Sequence, residues 1–284
     1  MLRQESIVNS HKIIEMKKTT LLLILVALNF ACNKAEKKEK TTEKSSTIEA
    51  TSIKTKEVNT PKINPISHAS FVMEWGNKVW YNDPVGSIED YADFKNPDVI
   101  LISDIHGDHF SIETLLSLKG EFKIIVPRTV FEEMPENLQK KSIVIKNEES
   151  IKWEDFKIQA IPMYNITEER LKFHTKGRGN GYLIDNGSYR TYISGDTENI
   201  PEMAELKNID LAFMCMNLPN TMSIKQAVEA TLSFEPKTVI PYHYRGMKDG
   251  EYHLYNTEVF ERLISDASDQ TKIKRINFYP EKQM

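Results

Sequence analysis

The segment Val99-Ile100-Leu101-Ile102-Ser103-Asp104-Ile105-His106-Gly107-Asp108-His109 joins four aliphatic residues to a turn carrying two aspartates and two histidines. An apolar run of this length, bounded by a polar turn, reads as a strand buried on both faces. Asp104, His106, Asp108 and His109 follow it immediately, and all four are able to ligate a metal. Imidazole suits zinc, iron and manganese, whereas carboxylate suits harder cations. A strand end fixes the backbone while the loop beyond it leaves side chains free to converge, so this density of ligand types favours a metal site over a plain polar connection.

The hydrophobic period outward from this strand switches repeatedly. Ser70–Trp75 and Lys78–Asn82 are β-prone runs joined by Gly76-Asn77, a hairpin signal. Ser111, with Glu113 in the first turn, opens a helix through Leu118. Lys123–Pro127 reads as a strand and Arg128–Glu133 as a helix, and Ser142–Lys146, Ile151–Trp153 and Phe156–Met163 read as antiparallel strands. Gly181–Ile184 and Tyr189–Ser194 flank Asn186-Gly187, a second hairpin signal. Strand Ile209–Met216, helix Ile224–Phe234, strand Thr238–Tyr242, helix Thr257–Asp266 and strand Lys272–Phe278 complete the chain. Strands dominate the first half and alternate with helices in the second, which predicts a layered α/β protein with large mixed sheets.

The 284 residues are ample for a sizeable core. Residues 1–60 hold 11 Lys/Arg and 7 Asp/Glu, leaving 26 basic and 34 acidic residues in the remainder, a net of −8. A domain that acidic is a poor partner for a phosphate backbone, which disfavours a nucleic-acid substrate. The N-terminal part reads as an export signal. Met16-Lys17-Lys18 supplies a basic start, Leu21–Phe30 an apolar core too short to span a bilayer comfortably, and Ala31-Cys32 a small residue followed by cysteine. The arrangement resembles a bacterial lipoprotein signal, with Met16 as the true start and Cys32 as the lipidated residue, although Asn29 stands where such signals usually carry Leu. Residues 1–32 are thus expected to be a signal segment, 33–60 a flexible polar linker rich in Lys, Glu, Thr, Ser and Ala, and 61–284 the folded domain. That places the protein in the bacterial cell envelope, on a membrane through its N-terminal lipid only. Cys215, the one other cysteine, lies in an apolar run and reads as a small core residue.

Of the seven histidines, His68, His106, His109 and His243 sit at or just beyond expected strand ends. Gly195-Asp196-Thr197 follows another strand, and its glycine permits a tight turn that presents Asp196. The order HAS (68–70), DP (83–84), DIHGDH (104–109), MYN (163–165), GRGNGY (177–182), GDT (195–197) and PYHY (241–244) resembles the metallo-β-lactamase fold superfamily, most closely the metal-dependent hydrolase branch that includes ascorbate-6-phosphate lactonase-like proteins. The likeness spans roughly residues 62–280.

That resemblance implies a four-layer αββα sandwich of two mixed β-sheets flanked by helices. It implies one or two divalent metal ions (Zn, Mn or Fe) in two sites sharing Asp196. The second site would use Asp108, His109 and His243. The first would use Asp104, His106 and Asn165, where Asp104 and Asn165 each replace an expected histidine. A neutral amide oxygen is a weak ligand and Asp104 adds oxygen character, which tilts the first site toward Mn²⁺ or Fe²⁺. His174 is expected as a substitute ligand or as the general acid for the leaving group, and Asp108 as the group that orients water and takes its proton. Behind the ligands or toward substrate stand His68, Asp83, Lys176, Arg178 and Tyr244, with Asp83 an acceptor for a ligand histidine N–H. The basic glycine-rich loop Lys176–Gly181 would suit an anionic group. The expected activity is hydrolysis of a small ester, lactone, amide or phosphodiester by a metal-activated water; the competing expectation is a lipoprotein of the same fold that binds metal or ligand with impaired catalysis. The sequence leaves the oligomeric state open.

Overall fold

The computed structural model describes residues 59–280. The expected signal segment, Cys32 and all but the last two residues of the expected linker lie outside the described residues.

Two sheets carry the architecture. The first has the order β1 (Lys62–Ser67), β2 (Ser70–Trp75), β3 (Lys78–Asn82), β4 (Val99–Leu101), β5 (Lys123–Val126) and β6 (Ser142–Val144). Its β1–β2–β3 part is antiparallel and its β3–β4–β5–β6 part parallel. The second runs β15 (Lys272–Ile273), β12 (Thr238–Tyr242), β11 (Leu211–Cys215), β10 (Arg190–Ile193), β9 (Gly179–Asp185), β8 (Phe156–Met163) and β7 (Ser150–Trp153). There β15 to β10 are parallel and β10 to β7 antiparallel.

Side-chain alternation along each strand explains the layering. Phe71, Met73 and Trp75 of β2, with Val99 and Leu101 of β4, point into the core shared with the second sheet. Val72, Ile100, Ile124 and Val126 point the other way, onto Leu115, Val130 and Leu138. Those three belong to α1 (Ile112–Ser117), α2 (Arg128–Glu133) and α3 (Glu136–Gln139). Phe71 stacks on Phe213 of β11 with ring centroids 4.4 Å apart, tying the two sheets face to face. After the short helix α4 (Pro201–Ala204), α5 (Ile224–Phe234) and α6 (Thr257–Ala267) carry buried Ala227, Phe234, Phe260 and Ile264 into the same core as the second sheet. The result is the helix–sheet–sheet–helix sandwich of the metallo-β-lactamase fold. The helix starts follow local chemistry: Ser111, Ser223 and Asn256 each cap a helix by accepting a backbone N–H.

Several expectations need correction. Ser142–Lys146 does not join an antiparallel group; β6 pairs in parallel with β5 and lies in a different sheet from β7 and β8. The helical crossover through α2 and α3 returns the chain in the same direction, as such connections require. Lys272–Phe278 forms only the two-residue β15, after which the chain turns to bury Phe278. β1 and the hairpin β13 (Arg245–Lys248) and β14 (Glu251–Leu254) were not expected. Pro65 interrupts the pattern of β1, and β14 is exposed at every residue, so neither shows a clear apolar period. Among the described residues no helix is long and apolar enough to cross a membrane.

Candidate metal centre

Loops at the ends of seven strands meet along one edge. His68 lies in the β1–β2 turn, Asp83 after β3, residues 104–109 after β4, and Asn165 and His174 between β8 and β9. Asp196 follows β10, Asn217 follows β11 and His243 follows β12. His68, Asp83 and His243 have φ of 56°, 43° and 50°. Left-handed backbone is uncommon outside glycine and persists where the surroundings over-determine it, as at functional sites.

Three sets of ligand atoms lie mutually within 4.8 Å: His68, Asp108 and His243; Asp104, His106 and His174; His109, Asp196 and His243. Asp196 is the hub. Its Oδ2 is 3.4 Å from both His109 Nε2 and His174 Nε2, and its Oδ1 is 3.4 Å from His243 Nε2. These contacts are too long and poorly aimed for hydrogen bonds, so His109 Nε2, His174 Nε2, His243 Nε2 and Asp196 Oδ1 are buried without a partner. Each such orphan costs about 1–3 kcal/mol. Divalent cation binding on the two sides of Asp196, by His109 and His243 on one and by His174 on the other, would satisfy all four, so the donor set fits a metal of the kind histidine and aspartate hold.

The opposite nitrogen of each imidazole is tied down. His109 Nδ1 is 2.9 Å from Asp83 Oδ2, which also accepts from Ser103 Oγ at 2.7 Å. His174 Nδ1 is 2.7 Å from Asn165 Oδ1, and the Asn165 amide is oriented by donating from Nδ2 to Asn220 O at 2.8 Å. With the proton held on Nδ1 in both, the Nε2 lone pair is left for a metal. Asn217 Nδ2 lies 3.0 Å from His243 Nδ1, and Asn217 Oδ1 accepts from Asn220 Nδ2 at 3.3 Å.

Burial alone would raise the Asp196 and Asp108 carboxyls, but the neighbouring histidines override it. His243 and His109 hold Asp196 well below the usual carboxylate range. His109, His243 and His68 do the same for Asp108. Burial would lower His109, yet the Asp196, Asp83 and Asp108 carboxylates raise it well above its ordinary value. His68 goes the other way: burial, then His243, push it down to about 3. A neutral His68 accepts from the Tyr279 hydroxyl at Nδ1 and donates from Nε2 to Asp108 Oδ2 at 3.2 Å.

The structure redistributes several expected roles. Asn165 is not among the converging atoms, because both ends of its amide are engaged elsewhere; it stands behind His174, which takes the position expected for it. His174 is 1% exposed between Asp104 and Asp196, a placement that suits a ligand. Lys176 reaches away to Glu202 at 2.6 Å. Arg178 forks onto Asp104, with Nε 3.0 Å from Oδ1 and Nη2 2.8 Å from Oδ2, so the basic loop offers no free anion cradle. Tyr244 is buried, its hydroxyl accepting from Phe278 N rather than facing the centre. Cys215 is buried, and burial pushes its thiol up to about 11.

Sequence reasoning missed Ser103, Asn217, Tyr279 and Glu198. The buried Glu198 carboxylate accepts from Ile166 N and Thr167 N, both at 2.6 Å, and pairs with Arg170 at 2.6 Å. It thereby pins the loop that carries Asn165 and His174. Only its position two residues after Asp196 hinted at it.

Two mixed sheets packed face to face, with histidines and aspartates gathered in the loops along one edge, define a metallo-β-lactamase fold with a metal centre. A family model described as a beta-lactamase superfamily domain matches residues 62–243, and the chain belongs to that superfamily. It is similar to the UPF0173 metal-dependent hydrolase of Pyrococcus furiosus, with 26% identity over 222 residues, 75% of this chain and 96% of the relative. The crystal structure of a candidate metal-dependent hydrolase from Parabacteroides distasonis superposes with a TM-score of 0.64 at 35% identity, covering 76% of this chain and 92% of that one. Igni18, a metallo hydrolase from Ignicoccus hospitalis, gives a TM-score of 0.64 at 21% identity over 76% of this chain and 95% of its own, a likeness of fold.

Replacing Asn165 with Leu removes the acceptor that holds the His174 tautomer. The expected result is a fall of about 10- to 100-fold in the metal affinity of the Asp104–His106–His174 position, with the fold and the ion on His109, Asp196 and His243 retained, measured by calorimetric titration of the metal-stripped protein. Unchanged affinity would show that His174 is not a ligand.

Proposed function

We propose that the protein is a metal-dependent hydrolase acting on a small anionic ester, lactone, amide or phosphodiester. The observation that carries this reading is the group of four buried, partnerless ligand atoms on His109, His174, His243 and Asp196. The superfamily membership and the metal-dependent hydrolases among its relatives support it. The order of motifs from HAS to PYHY supports the branch containing ascorbate-6-phosphate lactonase-like proteins, so anionic lactones head the substrate list.

A divalent cation on these residues would supply a Lewis acid and a water of lowered pKa. Asp196, His109 and His243 would hold it, with His174 on the far side of Asp196. The Asp108 side chain is 41% exposed and held ionised, so it can accept a proton from water on the open side of the cluster. Tyr279 and His68 aim it: the hydroxyl fixes the His68 ring, whose other nitrogen grips Asp108 Oδ2, while Oδ1 stands 3.9 Å from His109 Nε2. His68 also packs against His243, with ring centroids 3.6 Å apart and the rings tilted by 31°.

The anionic character of the substrate rests on Arg245. A cleft of about 450 Å³ is lined by Ser67, Asp90, Phe94, Arg245 and Tyr279, and the Tyr279 hydroxyl is hydrogen-bonded to His68. The Arg245 guanidinium lies over the Tyr279 ring, 5.5 Å from its centroid, and its Nε is buried without a partner. An arginine so placed suits a carboxylate or phosphate on a molecule whose reacting group lies at the metal. The net charge of −8 on residues 61–284 disfavours nucleic acid. The basic start, apolar core and Ala31-Cys32 of the N-terminal part support export and lipid attachment at Cys32, which would place the activity in the cell envelope.

Three outcomes are expected. His243→Ala loses bound metal and at least about 100-fold in kcat/KM on the best substrate while keeping its circular dichroism; retained metal-dependent turnover would sink the reading. Arg245→Met raises KM for an anionic ester by about 10-fold and leaves a neutral analogue unaffected, measured by paired steady-state kinetics. Full-length protein expressed in a bacterium yields a diacylglyceryl-modified Cys32 by mass spectrometry, whereas Cys32→Ser gives an unmodified chain; identical masses apart from the substitution would remove the envelope assignment.

A further inference from the structure

The two halves of the cluster differ in how their polar atoms are satisfied. Among His109, His243 and Asp196, three buried ligand atoms lack partners, His109 Nε2, His243 Nε2 and Asp196 Oδ1, while on the Asp104 side His174 Nε2 lacks one. Around Asp104, which is fully buried, both oxygens are already taken. Oδ1 accepts from Arg178 Nε at 3.0 Å; Oδ2 accepts from Arg178 Nη2 at 2.8 Å and lies 2.9 Å from His106 Nδ1. Arg178 Nη2 is also 3.4 Å from His106 Nε2, so one guanidinium covers both residues.

This cation is built in, not incidental. Its side chain is only 16% exposed. The backbone of Arg178 is held at both ends, with its N–H donating to Thr175 O at 3.1 Å and its carbonyl accepting from Thr129 Oγ1 at 2.6 Å. The flanking glycines make that path possible. Gly177 has φ +88°, and a Cβ on Gly179 would lie 2.8 Å from Ser103 O, on the very loop that carries Asp104. The glycine-rich stretch 177–181 is therefore a device that presses Arg178 onto Asp104.

A dication on Asp104, His106 and His174 would stand against the Arg178 guanidinium cation, with Asp104 and His174 buried. Moving Arg178 aside would leave a mostly buried charge unpaired. We propose that Arg178 is a resident cation standing in for a second metal. The protein then holds one tight divalent ion on Asp196, His109 and His243, and Arg178 keeps the Asp104–His106–His174 position weak. The proposal rests on the metal-hydrolase reading above and adds to it the stoichiometry and the residue that sets it.

The test is elemental analysis of full-length protein after gel filtration, with calorimetric titration of the metal-stripped protein by Zn²⁺ and by Mn²⁺. Wild type is expected to retain about one ion per chain and Arg178→Met about two, the second dissociation constant tightening by about 100-fold. Arg178→Lys, which keeps the charge, is expected to stay near one. Arg178→Gln replaces the Met variant if circular dichroism shows that one to be unfolded. Two tight ions in wild type would overturn the proposal while leaving the hydrolase reading intact. Failure of the Met and Gln variants to gain an ion would also overturn it, and would make Arg178 a residue that merely orients Asp104. A wild type that takes up no metal at all would instead sink the hydrolase reading on which the proposal rests.

Discussion

A buried carboxylate surrounded by imidazoles is the constraint on which this molecule depends. Asp196 lies almost out of reach of water, and burial by itself would favour its protonated form. His109, His174 and His243 reverse that preference by standing 3.4 Å away, yet they do not satisfy it by hydrogen bonding. The tertiary fold brings together atoms that only a further group can complete. Such a site costs stability in the protein alone, and it persists because the sheets behind it are apolar on both faces and packed without reference to it.

The supports of the site are as informative as its ligands. Each imidazole has its remote nitrogen engaged, through Asp83, Asn165 or Asn217, and these supports come from strand ends in both sheets. Glu198 extends the pattern by fixing the loop that delivers Asn165 and His174. Arg178 does the same from the other side by neutralising Asp104. Charge balance explains the division of labour. Aspartate in place of histidine at position 104 adds a negative charge to a dry site, and a guanidinium next to it compensates without depending on ion supply.

Much of this was legible in the residues. The strand 99–102 and its ligand-rich turn, the Gly76-Asn77 hairpin and the capped helices all express local rules: side-chain alternation, positive φ at turn residues and orphan N–H groups at helix starts. Asp83 as a partner for a ligand histidine could be suspected from its place after a strand. The parallel pairing of β6 was also within reach, because a helix separates it from β5, but three β-prone runs in succession suggested a meander. Tyr279 and Asn217 were not legible. Each lies far from its partner along the chain, Tyr279 by 211 residues from His68, and neither residue type signals such a contact locally.

By itself, the sequence determined the layered α/β class, the strand ends that would carry chemistry and the supply of histidine and aspartate, because these follow from periodicity and residue type. Only the tertiary structure decided which of Asn165 and His174 faces the centre. Both sit on one loop, and the choice turns on a hydrogen bond between them and a second to Asn220, which together orient the amide away and the ring inward. It likewise decided that Arg178 meets Asp104 rather than an incoming anion. That pairing depends on the close passage of residues 103 and 179, which no local pattern encodes.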